Sequence, residues 1–217
     1  MADWAVLFDL DGVLTDTAEL HYQSWQALAD ELGLPFDRHA NEALRGLSRE
    51  QSLALVLGAR AGEFSEAQRA DLTRRKNEDY LRRVAKMTPA DLLPGAEDLL
   101  AALAAMGVPM AVASSSRNAH TVIERLGIAP RFRVIVDGNL APLSKPDPQV
   151  FLVAAERLGM PPRRCIVVED AASGVAAAKA AGMRVIGLGP AERVGAADRV
   201  VGCLKEIEPS RLIDLLV

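Results

Sequence analysis

Four short stretches of this 217-residue chain carry side chains that could act on a charged substrate: Asp9-Leu10-Asp11-Gly12, Ser114-Ser115-Ser116, Lys145, and Glu169-Asp170. Residues two apart in extended chain point the same way, so Asp9 and Asp11 can share a site. Three or four carboxylates in one cleft repel each other, and a hard divalent cation relieves that; an all-oxygen ligand set suits Mg2+. Lys145 adds fixed positive charge, and Ser114 adds a hydroxyl and a backbone N–H. A cation, a lysine and hydrogen-bond donors together suit a phosphoryl group. One carboxylate beside them can be a nucleophile that carries the phosphoryl as an aspartyl phosphate. A second carboxylate two residues on can serve as general acid and base. Taken singly, each piece is ordinary: Asp-x-Asp is most often a turn, a strand-end serine a helix cap, a lone lysine solvated, and Glu-Asp a loop.

The elements that must position these residues change that balance. Apolar runs at Trp4 to Phe8, Pro109 to Ala113, Val134 to Val136, Cys165 to Val168, Arg184 to Gly187 and Arg199 to Val201 read as strands buried on both faces of a parallel sheet. Helical patterns lie between them, at Ala96 to Met106, Ala119 to Leu126, Gln149 to Leu158 and Ser173 to Ala181, each followed by a glycine suited to a helix C-terminus. This alternation predicts an α/β fold with a doubly wound, Rossmann-like parallel sheet. Ligands in such sheets bind beyond the carboxyl ends of the strands. The four stretches follow the first, second, third and fourth candidate strands in order.

One region breaks the rhythm. Between Thr15 and Leu92 there is no convincing strand; helical patterns run over Asp16 to Leu32, Arg49 to Leu57 and Glu66 to Val84. Ser48 to Gln51 and Ser65 to Gln68 have capping-box spacing. The expected organisation is an α/β core of residues 1–14 and 93–217 with an all-helical cap, residues 15–92, inserted after the first strand. Two short linkers, Leu14 to Asp16 and Thr88 to Asp91, would let that cap swing.

Composition excludes other classes. Half the residues are apolar and a quarter are charged, which argues against disorder. The formal net charge is −4 and neither half is strongly basic, so nucleic acid and anionic membrane are not expected partners. The basic run Arg74-Arg75-Lys76 is interspersed with Glu78 and Asp79 and reads as a solvated helix face, with Lys76 the exception. Cys165 and Cys203 form no framework and read as free thiols, Cys165 as inert packing. No stretch reaches the ~18 apolar residues of a membrane span. A cytoplasmic monomer acting on a small molecule is the expectation. His39 and His120 should be solvent-exposed, and Trp4 and Trp25 should be packing residues.

The run Phe8-Asp9-Leu10-Asp11-Gly12-Val13-Leu14-Thr15-Asp16-Thr17, followed in order by Ser114, Lys145 and Glu169-Asp170, resembles the haloacid dehalogenase superfamily. Within it the likeness is to the β-phosphoglucomutases, through His21, Arg45-Gly46-Leu47-Ser48-Arg49-Glu50, Ser52, Arg75-Lys76-Asn77 and Thr88 to Asp91. The resemblance covers nearly the whole chain. It implies Mg2+-dependent interconversion of β-D-glucose 1-phosphate and D-glucose 6-phosphate, through an aspartyl-phosphate enzyme and a glucose 1,6-bisphosphate. The alternatives are a sugar-phosphate or phosphoglycolate-type phosphatase, or a non-catalytic module that binds a phosphorylated ligand; the latter has no need of an acid/base carboxylate.

The roles implied by the resemblance are as follows. Asp9 would be the nucleophile and Asp11 the acid/base. Asp9, the Asp11 carbonyl and Asp170 would hold Mg2+, with Glu169 at or near it. Ser114 and Lys145 would bind the moving phosphoryl group, and Thr17, His21 and Lys76 would couple the cap to Asp11. Arg49 would hold the other phosphate, with Ser116 and Asn118 near that distal end. The stretch from Gly46 through Leu47 and Ser48 to Ser52, with Lys76 and Asn77, would contact the sugar. Physical sense agrees: a mutase must hold a bisphosphate by both ends, and Arg49 supplies bidentate donors. Closure would exclude the water that otherwise hydrolyses the aspartyl phosphate. One departure is Asp137-Gly138-Asn139-Leu140, where the family leads one to expect Asp-Pro-Ala; it bears on sugar preference rather than on chemistry.

Overall fold

The computed structural model describes residues 2–45 and 47–216. Six strands form one sheet: β1 (Ala5–Phe8), β2 (Met110–Ala113), β3 (Val134–Val136), β4 (Cys165–Glu169), β5 (Arg184–Leu188) and β6 (Arg199–Val201). Their order is β3-β2-β1-β4-β5-β6, and every pairing is parallel. The strand stretches read from the sequence all form, with ends shifted by at most one residue.

The helices follow in chain order as α1 (Thr17–Glu31), α2 (Arg38–Glu42), α3 (Arg49–Leu57), α4 (Glu66–Val84), α5 (Ala96–Ala105), α6 (Ala119–Arg125), α7 (Gln149–Leu158), α8 (Ala172–Ala180) and α9 (Ala191–Val194). Period-two alternation along β1 splits its side chains between two layers. Val6 and Phe8 pack with Leu100 and Leu103 of α5 and Val122 and Ile123 of α6. Ala5 and Leu7 pack with Phe151 and Ala154 of α7 and Val175 and Ala178 of α8. Both faces of the sheet are therefore covered, which is why its strands are continuously apolar. Burying a side chain such as Phe8 or Leu7 stabilises the fold by roughly 1.5–3 kcal/mol each.

Helices α1, α3 and α4 close around their own apolar cluster, which includes Trp25, Leu28, Leu53, Leu57 and Leu72. Their starts are fixed by side chains. Asp16 accepts from the Glu19 N–H, and Ser48 and Ser65 complete capping boxes with Gln51 and Gln68, as their spacing predicts. The end of α4 and the segment after it leave this cluster: Tyr80, Val84 and then Met87 join the apolar layer that includes Leu100 and Leu103 of α5.

The two connections between the helical region and the sheet lie side by side. Thr15 bridges to Asp11 in parallel and to Leu92 antiparallel. The Thr15 hydroxyl donates to the Asp91 carbonyl at 2.7 Å, and the Leu93 N–H donates to the Leu14 carbonyl at 2.9 Å. The return segment is a short 3-10 turn, Pro89–Asp91, in which Asp91 accepts from the Thr88 N–H. Sequence periodicity misses α2, α9 and two 3-10 segments, Gly58–Glu63 and Pro209–Leu216, because each is too short or irregular to display a helical period.

Candidate active site

β1 lies between β2 and β4, so the chain leaves the sheet in opposite directions on its two sides, and a crevice opens beyond its carboxyl end. Register levels the side chains there. Phe8 pairs with Val112 and with Val168, so Asp9 and Glu169 emerge at the same height and Ser114 two residues beyond Val112. The Asp9 N–H donates to the Val168 carbonyl at 3.0 Å and the Ser114 N–H to the Val136 carbonyl at 3.0 Å, which continue the sheet ladder into the site.

Lys145 reaches this floor from the loop after β3. Its Nζ donates to Asp9 Oδ1 and to Glu169 Oε2, both at 2.7 Å, and lies 4.9 Å from the centre of the Phe151 ring. Lys145 is 1% exposed. Burial opposes its charge, but Asp9 and Glu169 outweigh burial and hold the ammonium protonated above its ordinary range. The other Glu169 oxygen accepts from the Asp170 and Ala171 N–H groups, so both its oxygens are engaged. Glycine is required beside this carboxylate: a Cβ at Gly174 would stand 2.1 Å from Glu169 Cδ.

Asp11 points to the cap side. It accepts hydrogen bonds from the Thr17 hydroxyl and, at 3.3 Å, from the Ser114 hydroxyl. Burial first, and then the charge of Asp9, push its carboxyl up to about 6. A group poised there can give and take a proton near neutral pH. His21 Nε2 is 3.8 Å from Asp11 Oδ1, and His21 Nδ1 is 2.6 Å from Lys76 Nζ. The His21 ring stacks on Tyr80 at 4.0 Å between centroids, and Lys76 Nζ lies 4.9 Å from the ring centres of both Trp25 and Tyr80. Burial and then Arg49 bring Lys76 down to about 7; burial and then Lys76 hold His21 well below its ordinary range. Burial beside these cations thus favours the neutral form of His21, which shares the 2.6 Å hydrogen bond with Lys76.

The far end of the cleft is also assembled across cap and core. Arg49 Nη2 donates to Asn77 Oδ1 at 2.6 Å, and Asn118 Nδ2 donates to the same oxygen at 2.8 Å. Arg117 pairs with Glu50 at 2.9 Å. Leu47, Ser48, Arg49, Ser52, Lys76 and Ser116 line the cleft together with Asp9, Asp11 and Asp170. The cleft they form is partly open to solvent and mixes polar and apolar walls. Asn77 and Asn118 stand behind the wall rather than on it, Ser114 and Glu169 lie buried beneath it, and Ser48 spends its hydroxyl on capping α3. Gly46 falls outside the described residues. His39 and His120 are exposed, and Cys165 is buried with its thiol pushed up to about 12 by burial, as inert packing requires.

Three residues have a place in the site that sequence reasoning does not assign. Tyr80 follows Lys76 by four residues on α4, and that spacing was the available signal. Trp25 is a wall residue as well as a packing residue. Arg45 donates through Nη1 to Asp170 Oδ2 at 2.7 Å. Gly12, with φ +87°, makes room for that pair: a Cβ there would meet Asp170 Oδ2 at 2.3 Å and Arg45 Nη1 at 3.2 Å.

The family model for haloacid dehalogenase-like hydrolases matches residues 5–182. The chain belongs to that family. It is 45% identical over 199 residues to a β-phosphoglucomutase of Bacillus subtilis, covering 91% of this chain and 88% of the relative. It is 29% identical over 215 residues to a phosphorylated-carbohydrate phosphatase of Thermotoga maritima, covering 98% and 97%. Among solved structures, a β-phosphoglucomutase of Clostridium difficile superposes with a TM-score of 0.94 at 35% identity, covering 100% of this chain and 97% of that one. The protein is therefore an enzyme of the haloacid dehalogenase-like family with relatives that act on sugar phosphates. No described helix is long and apolar enough to cross a membrane.

Members of this family use Mg2+, and the donor set here fits it. Carboxylate oxygens of Asp9, Glu169 and Asp170 lie within 4.8 Å of one another. Burial first, and then the charge of Asp9, push Asp170 up to about 7 and also raise Glu169. Such a cluster is short of positive charge, and hard oxygen donors in this number suit a small divalent cation. With both Glu169 oxygens already engaged, Asp9 and Asp170 have the freer ones, and the Asp11 side chain faces Thr17 instead.

Proposed function

We propose that this enzyme is a β-phosphoglucomutase, interconverting β-D-glucose 1-phosphate and D-glucose 6-phosphate through an Asp9 phosphoenzyme and a bound 1,6-bisphosphate. The carrying observation is that cap side chains reach the candidate acid/base: Thr17 bonds Asp11, and His21, braced by Lys76, faces it. A phosphotransferase gains from tying its proton donor to cap closure, because water then meets the phosphoenzyme without a base; an enzyme that transfers phosphate to water has no such need.

In the proposed cycle, an Asp9 oxygen attacks the phosphorus of one phosphate of the bisphosphate. The bond from phosphorus to sugar oxygen breaks, and Asp11 delivers its proton to that oxygen. After the sugar phosphate exchanges for one in the other orientation, Asp11 takes the proton from the free hydroxyl. That oxygen attacks the aspartyl phosphate and restores the Asp9 carboxylate. Lys145 and Ser114 hold the moving group, while Arg49, braced by Asn77 and Asn118, clamps the distal phosphate beside Ser116. Leu47, Ser48 and Ser52 face the sugar from a cap of residues 15–92. Mg2+, when bound at Asp9 and Asp170 beside Glu169, supplies neutralisation of the phosphoryl charge.

The test offers β-glucose 1-phosphate, Mg2+ and a trace of the 1,6-bisphosphate to the purified protein and follows glucose 6-phosphate and inorganic phosphate together. Glucose 6-phosphate forming well ahead of free phosphate is expected. Stoichiometric free phosphate without isomerisation makes the enzyme a sugar-phosphate phosphatase instead.

A further inference from the structure

Arg45 sits in the loop after α2, on the cap side of the cleft, yet its strongest contact is with the core. Nη1 lies 2.7 Å from Asp170 Oδ2, and the backbone carbonyl of Arg45 accepts from the Ser173 hydroxyl at 3.2 Å. On its other side, Arg45 Nε donates to Glu42 Oε2 at 3.0 Å, and that same oxygen lies 3.5 Å from Arg193 Nη1 of the core. Four charges of alternating sign thus run Asp170, Arg45, Glu42, Arg193, crossing between core and cap twice. The backbone makes way for the first pair, since a Cβ at Gly12 would collide with Asp170 Oδ2 at 2.3 Å and press on Arg45 Nη1 at 3.2 Å.

The Asp170 side chain is 5% exposed, so leaving it charged without a partner would be costly. Arg45 supplies that partner now. The same carboxylate belongs to the acidic cluster that fits a divalent cation. A guanidinium at 2.7 Å and a cation on one carboxylate repel each other. Glu42, already bonded to Arg45 Nε at 3.0 Å, would keep Arg45 paired once that contact breaks.

We propose that Arg45 is a tethered competitor of the divalent cation: without the cation it neutralises Asp170 and latches the cap onto the core, and cation binding frees the latch by breaking the Arg45–Asp170 contact while Arg45 stays paired with Glu42. Linkage makes this reciprocal: whatever factor the latch takes from cation affinity, the cation takes from latch stability. The inference rests on the metal assignment in the proposed function, but not on whether a sugar or water accepts the phosphoryl group.

The test therefore uses Mg2+ alone, with no sugar phosphate, on the EDTA-treated full chain. Calorimetry gives the Mg2+ affinity. Energy transfer between labels at Leu55→Cys on α3 and Leu152→Cys on α7, both exposed, in a Cys203→Ser background gives the cap position. Arg45→Met should bind Mg2+ roughly tenfold tighter, in the usual range of coupling between sites. Glu42→Gln, which removes the charge that holds Arg45 on its other side, should bind it more weakly. Mg2+ should lengthen the label distance in the wild-type chain, whereas Arg45→Met should already show the longer distance without Mg2+.

A tighter Arg45→Met with no change in cap distance would reduce Arg45 to simple repulsion and overturn the latch. So would an unchanged or weaker affinity in that variant. No Mg2+ binding by the wild-type chain would overturn the metal assignment as well, while failure to isomerise glucose phosphate would leave this inference standing.

Discussion

Lys145 is a small cation asked to hold two carboxylates out of water. With Asp9 and Glu169 each at 2.7 Å, it is their shared counter-charge. Lys145→Met leaves both acids facing each other in a buried site, and removal of one partner from such a group costs about 3–5 kcal/mol; urea unfolding monitored by circular dichroism should read that loss. Lys76 makes the opposite case. Its folded value near 7 lies far below the ~10.4 of an unfolded lysine, so between those values the native state binds fewer protons and stability rises with pH. Lys76→Met should therefore raise the melting temperature at pH 6 and gain much less at pH 10. Its charge also orients His21 toward Asp11, so turnover should decline above pH 7, and Lys76→Arg, which stays charged, should move that decline upward. A melting temperature that responds equally at both pH values would show that Lys76 carries no buried charge.

Elements set how accurately these residues meet. The strands were legible because a sheet covered on both faces demands unbroken apolar runs, and the four motifs were legible because each follows such a run. Capping serines marked α3 and α4 for the same reason: a local spacing reports a local structure. Contacts made by the approach of two separately built parts were not legible. Arg45 against Asp170 joins residues 125 positions apart, and no periodicity speaks for it. Asn77 receiving both Arg49 and Asn118 is another instance, since one partner lies in the helical region and one in the sheet layer. The first turn of α8, just after β4, leaves no room for a side chain at Gly174. Gly174→Ala drives a methyl into the Glu169 carboxylate, and the overpacking should cost about 1–3 kcal/mol. Because Glu169 positions Lys145, activity should fall along with the urea midpoint; a fully active, fully stable variant would mean that the turn has slack it does not display.

At the scale of the whole molecule, the proposed function divides phosphate recognition between the sheet core and a helical cap joined to it by adjacent linkers. The division yields a separable prediction. Arg49→Ala should depress isomerisation by roughly 100-fold or more, as loss of a charged transition-state contact does, while slow hydrolysis of the phosphoenzyme continues, because the core retains Asp9, Ser114 and Lys145. Parallel assays of glucose 6-phosphate and inorganic phosphate would check it; equal loss of both would remove Arg49 from the distal clamp.

The place of β1 in the sheet also bears on how the chain is made. Ala5–Phe8 leaves a ribosome well before its neighbours, Met110–Val112 on one side and Cys165–Val168 on the other. The segment that leads into Asp9 must stay unpaired until more than a hundred further residues have been synthesised, and its second neighbour comes later still. Such long-range pairing is slow and leaves an apolar strand open to wrong partners. The helical insertion, closed by near contacts, has time to fold first and to shelter the waiting strand. Translation rate and chaperone supply, more than final stability, should then govern how much active enzyme a cell obtains.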